Sequence, residues 1–540
     1  MHAALLIQDI QYGIFDRISS KRTLNALSRT CKAFTESALD VKWRHVDSIT
    51  TLIQCMPHDL WSRDRDYDLT DHYIFRLRRP ILSSDWVVFQ KYSSRVRTLK
   101  GPLPEKGSPV SIEESGALAF CSPSAPFPLL PNLKSLKWSI VSNAGILTLF
   151  HLISPNLTSL KVSMIPGAQL TPRFQSAISV PLDQIHPSLK QYATDGGQIY
   201  PQSLLEGLQL SVCQLQNLDT ISWYNISNEA IVSLMQLPKL TRAKFETPED
   251  FPSYIDTLQS QSPSQNHTFS GVRRLEVMYD GSLAPATALL KYFDFHLLEN
   301  IHLSCHYPTQ STGMLEFLTA LASSSSHPIL EIIVDHRSRA FIPVSIRDPI
   351  GIHELRPLLQ FGKLQRLVLE VQWSFVLNDA TLLEMAGAWP HISTLYFNKN
   401  GHWDSGSQVT ASAFLSLRER CPKLNKTSLP IDFSSVDSPD FDHLSINVSR
   451  DERRTASSGQ FWFGPYRIVH PRAIACYLAA ILPKAASISM LSVGWDNRDR
   501  QEYVESFKQT QEIYYNMRKV RRERNPDEDG ALPMDGAWSS

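Results

Sequence analysis

Charge of a dominant sign is missing from this 540-residue chain: Lys plus Arg and Asp plus Glu each total 53, for a formal net charge of zero. That balance gives no broad basic stripe for nucleic acid or an anionic membrane surface. Paired cysteines are missing as well. The seven present, Cys31, Cys55, Cys121, Cys213, Cys305, Cys421 and Cys476, are scattered and never spaced C-x-x-C. Neither a zinc ribbon nor a disulfide framework fits that spacing, and a reducing compartment is expected. Long apolar runs are missing too, since Ala473–Leu482 is too short to span a bilayer. Met1–Ile10 is apolar but has no basic start and no small-residue cleavage site, and Asp9 interrupts it, so no secretory signal is expected. These absences predict a cytoplasmic or nuclear chain with neither nucleic acid nor membrane as partner.

Catalytic signatures are also missing. There is no G-x-S-x-G, no G-x-x-x-x-G-K, no H-E-x-x-H, and no Gly-rich turn after an early strand. The closest approach to paired chemistry is His302-Leu303-Ser304-Cys305-His306, where Cys305 as nucleophile would need a histidine base at the right angle. Sequence neighbours at a strand end rarely meet that geometry. Asp335-His336 and His402 with Asp404 read as polar strand ends or loops. The expectation is a non-enzyme with no metal and no cofactor.

What is present is a soluble composition, 42% hydrophobic and 20% charged, in a chain too long for one core. Several domains or one repeat array must result. At the start, Leu6, Ile7, Ile10, Ile14, Phe15 and Ile18 recur at three- and four-residue steps, the spacing of one helix face. Ser19-Ser20 breaks the pattern. Leu24, Leu27, Cys31 and Phe34 form a second helical set, with Thr23 as its expected cap. Ala38, Leu39, Trp43 and Val46 form a third. Three short helices bury little surface alone and lean on a neighbour or a partner.

From about residue 96 a looser unit recurs: apolar, two variable, apolar, one variable, apolar. Copies begin at Leu133, Leu157, Leu218, Val272, Leu298, Ile329, Leu364, Ile392, Phe441 and Ile488, with Val96 opening the series. Leu240–Phe245 is a weaker copy, and Leu189–Tyr192 and Leu424–Leu429 are weaker still. Each copy predicts a short strand with one buried face. Between copies lie helical stretches at 144–153, 228–237, 314–322, 378–389, 409–420 and 471–482. Strand then helix at a rough period of 20–30 residues is the mark of a leucine-rich-repeat solenoid. Irregular steps make it a degenerate array, and the Asn or Cys ladder of a regular repeat is mostly absent. An ordinary α/β domain with many short strands is the competing architecture. Such an array lines up its strands on one face suited to a protein ligand, with Trp138, Trp223, Tyr224, Trp373 and Tyr396 as candidate anchors. For each, burial in the core is the plainer reading.

The predicted organisation is therefore α/β: a three-helix module at 1–50, a helical linker at 51–95, the solenoid at 96–496 with parallel strands and outer helices, a charged helix at 497–524, and a disordered tail at 525–540. The 101–131 stretch, rich in Pro, Ser and Gly, reads as a long loop. Arg518-Lys519 with Arg521-Arg522 reads as a solvated helical face before a nuclear signal.

The order Leu6-Ile7, Ile10, Ile14-Phe15, Ile18, Leu24, Leu27, Thr30-Cys31-Lys32-Ala33-Phe34, Trp43 resembles the F-box of fungal F-box proteins with degenerate leucine-rich repeats. Ala38-Leu39 and Met56-Pro57 with Leu60-Trp61 extend the likeness. The family's usual Pro at the start of the first helix is replaced by Ile7-Gln8, which weakens the helix-start signal. The resemblance implies a substrate receptor of a Skp–cullin–F-box E3 ubiquitin ligase. The N-terminal helices would dock a Skp-type adaptor, and through it a cullin–RING ligase, by Leu6, Ile7, Ile10, Ile14, Phe15, Leu24 and Leu27. The solenoid would hold an unknown protein substrate. A leucine-rich-repeat scaffold without ligase association, and an enzyme with an unrecognised site, stay open beside it.

Overall fold

The computed structural model describes residues 7–65, 73–100, 110–112, 119, 124–169, 188–194, 209, 211–261, 267–268, 271–279, 282–305, 311–325, 328–336, 349–371, 375–399, 403, 408–437, 459–464, 468–483, 486–491 and 500–524. The chain divides into two compact units, Met1–Pro248 and Glu249–Ser540. The expected 96–496 array thus falls across two bodies.

The first unit opens with three helices: α1 (Gln8–Phe15), α2 (Lys21–Thr30) and α3 (Lys32–Arg44). Their shared core is Phe15, Leu24 and Ala38, with Ile18, Leu27, Phe34 and Val41 packed around it. Phe15 and Phe34 meet edge to face at 5.5 Å. α1 starts at Ile7 in extended conformation with no side-chain cap, as expected without the proline. Tertiary bonds hold this short helix instead. Ser37 Oγ donates to buried Gln11 Oε1 at 2.6 Å, Tyr12 donates to Asp40, and Arg44 pairs with Asp16 at 2.6 Å. Arg95 donates to both Asp40 and Glu36, tying α3 to the segment that begins the repeats. The cap of α2 is Ser20, whose Oγ accepts from the Thr23 N–H. The expected Thr23 lies inside the first turn, whereas Ser20 has the extended backbone that a cap needs.

After β1 (His45–Val46), the stretch expected as a helical linker departs from expectation. It holds short helices at Thr50–Ile53 and Ser83–Ser93, but between them β2 (Trp61–Arg65) and β3 (Tyr73–Leu77) form an antiparallel ribbon. Aromatic pairing explains it: the Trp61 and Phe75 rings lie 4.8 Å apart, and Leu60 and Phe75 are buried. Then come β4 (Thr98–Lys100) and β5 (Val110–Ile112), the latter joining β3 from within the expected long loop.

The repeats proper are parallel. β1, β4, β6 (Ser135–Ser142), β7 (Ser159–Gln169), β8 (Gln191–Thr194), β9 (Thr220–Trp223) and β10 (Arg242–Glu246) pair in that order. Register aligns Val46, Leu99, Leu136, Leu160, Tyr192, Ile221 and Ala243 as one buried row. The leading residues Leu133, Leu157, Leu189, Leu218 and Leu240 are buried as well, so both weak copies in this unit form strands in the same parallel register. Helices Asn143–Leu152 and Asn228–Met235 match the expected stretches within two residues.

The second unit repeats the plan. A small pair, β11 (His267–Thr268) and β13 (Phe293–Asp294), flanks the main series, which begins with β12 (Arg274–Tyr279). It continues through β14 (Asn300–Cys305), β15 (Glu331–His336), β16 (Arg366–Glu370), β17 (Thr394–Phe397), β18 (Lys426–Leu429), β19 (Gln460–Phe463) and β20 (Ser487–Met490). One row reads Leu275, Ile301, Ile332, Leu367, Leu395, Thr427, Phe461, Ile488. Neighbouring helices pack on one another behind it: Ala284–Tyr292 against Ser311–Ser324, and Asp379–Ala388 against Ala411–Arg420. Asn398, left-handed at φ 43° and buried, receives the Val371 N–H on its Oδ1 at 2.8 Å, a single asparagine rung. The last copy has a different phase from that expected. Ile488 occupies the middle position, in register with Phe461, not the first. The copy expected at Phe441 lies outside the described residues, as do Trp373 and the 525–540 tail.

The charged C-terminal helix spans Arg500–Arg524 and packs on helix Pro471–Ile481. It also closes the open edge of β20. Gln511 donates to the Ile488 carbonyl at 2.7 Å, Tyr515 Oη accepts from the Ile488 N–H at 3.3 Å, and Tyr514 donates to the Ala486 carbonyl. Among the described residues, no helix is long and apolar enough to cross a membrane.

Candidate functional site

The seven N-terminal residues expected to dock an adaptor divide by burial. Phe15 is 4% exposed and Leu24 3%, and Leu27 packs on them. Phe15 and Leu24 belong to the module's interior, with Leu27 partly buried against them. Leu6 lies outside the described residues. Ile7, Ile10 and Ile14 are 52%, 39% and 45% exposed. Ile10 and Ile14, at i and i+4, share one exposed face of α1, and exposed Ile7 precedes them at the N-cap. On a helix anchored by its neighbouring face they make an unpartnered apolar patch.

The strand arrays offer a second kind of surface. Of the aromatic anchors, Trp138 and Trp223 are buried and belong to the core. Trp138 donates its indole N–H to Gly145. Tyr224 is half-buried, with Lys244 Nζ 6.0 Å from its ring. Tyr396, on the strand face away from Leu395 and Phe397 but itself buried, meets Trp462 edge to face at 5.4 Å, with Lys399 Nζ 3.9 Å from the Trp462 ring centre. Burial pushes the Tyr396 phenol up to about 12. Sequence reasoning missed Trp462 because Phe461 and Phe463 replace the aliphatic residues of the repeat. The alternation in Phe461-Trp462-Phe463 was the available signal.

His302 to Cys305 resolve by alternation, while His306 lies outside the described residues. His302 and the buried Ser304 stand on the face away from the core row, while Cys305 is buried on the core side beside Tyr279. Cys305 and His302 therefore stand on opposite faces and form no nucleophile–base pair. His302 Nε2 lies 3.3 Å from Asp335, its Nδ1 3.9 Å from Glu276, and Ser304 donates to Asp335 at 2.5 Å. A depression of about 650 Å³ between helices Ala284–Tyr292 and Ser311–Ser324 is lined by Leu290, Tyr292, Phe293, Leu315 and Glu316 among others. Among the described residues, no three His, Cys, Asp or Glu side chains are grouped to hold a metal ion.

No family model matches this chain, and no curated protein matches it. Among solved structures, it is similar to a chain of the crystal structure of the Rad7 and Elc1 complex in yeast. The identity is 12%, the match covers 80% of this chain and 91% of that one, and the TM-score is 0.29.

Proposed function

We propose that the protein is a substrate-recognition adaptor of a Skp–cullin–F-box E3 ubiquitin ligase. The observation that carries this reading is the patch of Ile7, Ile10 and Ile14, exposed on a helix whose neighbouring face is fixed by Phe15, Gln11 and Tyr12. Aliphatic side chains held outward on a rigid helix suit a hydrophobic groove in a partner. In this reading the strand arrays hold the protein target, and the covalent chemistry belongs to other subunits. The receptor acts by raising the local concentration of target lysines near the ligase. The test is a pull-down of the purified full chain with a Skp-type adaptor. Ile10→Asp with Ile14→Asp is expected to abolish association while the melting temperature holds. Unchanged association refutes the docking assignment.

The uncapped start of α1 supports a second reading, a protein-binding scaffold without a ligase. Target binding with no adaptor association for the wild-type chain selects it.

A further inference from the structure

The register that builds the core of the Glu249–Ser540 unit also sets what its other strand face carries. Beside the core row of Leu367, Leu395, Thr427 and Phe461 runs a second row, Val368, Tyr396, Ser428 and Trp462. Tyr396 and Trp462 stand two rungs apart, about 10 Å between strands, yet their rings meet edge to face at 5.4 Å. They lean together because the rung between them is small. Ser428 is fully buried, and its Oγ donates to the Phe397 carbonyl at 2.9 Å. Tyr396 is covered by this arrangement, while Trp462 stays half-buried, its indole N–H without an acceptor among the described residues. Two ammonium groups flank the rings along the strand direction. Lys399 follows β17, and its Nζ lies 3.9 Å from the Trp462 ring centre and 5.6 Å from that of Tyr396. Lys426 shares the face of Ser428, two residues before it in β18, in register with Gln460. Among the described residues neither ammonium has a carboxylate or a hydrogen-bond acceptor. Nearby charges are engaged elsewhere: Glu370 accepts from the backbone N–H of Lys399 at 3.1 Å, and Arg366 pairs with Glu331 at 2.9 Å. An indole and an ammonium can only donate. The open polar atoms of Trp462, Lys399 and Lys426 are therefore all donors, gathered around one accessible ring.

We propose that Trp462, Lys399 and Lys426 form a docking point for a segment of a protein partner in which an aromatic side chain is flanked by Asp or Glu. The partner's ring would pack on Trp462 by edge or offset contact, and its carboxylates would accept from the two ammonium groups. A tryptophan held in place from one side is the kind of residue that anchors an interface. This deepens the receptor reading, and rests only on its target-holding half. Single-stranded nucleic acid also uses rings and cations, but the same strand face disfavours it. Glu276, Glu331, Asp335 and Glu370 stand on that face on the preceding rungs, and a phosphate backbone tracking across the strands would run into them. Carboxylates on a short segment need reach only the two lysines.

The test is fluorescence anisotropy on the purified full chain with a labelled peptide of about a dozen residues, a central Phe set among Asp and Glu. One control peptide replaces the Phe by Ala, a second replaces every Asp and Glu by Asn and Gln, and a single-stranded oligonucleotide is run beside them. The parent peptide is expected to bind best, and to weaken as salt screens the lysines. Lys399→Gln with Lys426→Gln is expected to cut its affinity roughly fivefold or more, with the melting temperature and the binding of the amide-substituted peptide unchanged. Trp462→Ala is expected to cut it roughly tenfold or more; should that variant melt lower than the wild type, the lysine variant decides. No binding of the parent peptide, equal binding of either substituted peptide, unchanged binding by the lysine variant, or preference for the oligonucleotide overturns the proposal. Ile10→Asp with Ile14→Asp should leave peptide binding intact, so loss of adaptor docking and loss of this site are separate results.

Discussion

Thr427 sits at the middle position of its rung, between Leu395 and Phe461 in neighbouring strands. It is fully buried, and its Oγ1 has no hydrogen-bond partner. Every other residue in that row of the second unit is aliphatic or aromatic. A buried hydroxyl without a partner costs about 1–3 kcal/mol. Valine has the same branched shape at Cβ, and its second methyl gains dispersion contacts where the hydroxyl found no acceptor. Thr427→Val is therefore expected to stabilise the Glu249–Ser540 unit by about 1–2 kcal/mol. At about 2–4 °C per kcal/mol for a unit of comparable size, the unfolding midpoint rises by about 2–8 °C. Calorimetry of the full chain measures this, with urea titration checking that the slope is unchanged. Thr427→Ser serves as the opposing control, since it keeps the hydroxyl, removes a buried methyl and lowers stability by about 1 kcal/mol. A valine variant that melts at or below the wild type refutes the reasoning, because the hydroxyl must then be bonded.

Three further outcomes follow from described contacts. Arg79 beside Asp85, helped by the Leu82 N–H, holds that carboxyl below its unfolded value of 3.8. Its stabilisation is therefore complete above that value and is lost as pH falls through the lower folded value. Asp85→Asn should cost about 1–2 kcal/mol at neutral pH and flatten the acid limb of a pH–stability curve; an unaltered limb counts against the pair. Tyr515→Phe removes the acceptor of the Ile488 N–H and should speed hydrogen exchange at that amide by roughly fivefold or more, read by NMR or mass spectrometry. Burial pushes the Cys213 and Cys421 thiols up to about 11, so neither should react with a thiol reagent at about pH 8 until the chain is unfolded.

Much of the repeat architecture was legible because a half-buried parallel strand needs apolar residues at fixed steps. Leu133–Trp138, Leu298–Leu303 and Leu364–Leu369 all show it and all form rungs. Reading failed where packing accepts other residues at those steps. Thr427 weakened the signal of the Leu424–Leu429 copy that forms β18, and Phe461 with Phe463 disguises β19. Ile488 was assigned one position too early because Leu491, beyond the strand, is itself buried. The β2–β3 ribbon escaped because its pairing depends on Trp61 meeting Phe75 across a gap in sequence, which local periodicity does not encode. The exposed face of α1 was half legible. Periodicity gathered the right helix, but only packing separates the outward Ile10 and Ile14 from the inward Phe15 and Leu24.

The arrangement at β20 bears on how this protein behaves in a crowded cell. A terminal strand with idle backbone groups is a template, and identical chains can add to it one after another. Here Gln511 and Tyr515 already occupy both backbone groups of Ile488, so the array ends in a seal that a second molecule would have to displace. Deleting residues 500–540 is expected to shift the full chain toward larger assemblies than the wild type forms, read by light scattering; an unchanged size distribution counts against this role for the final helix.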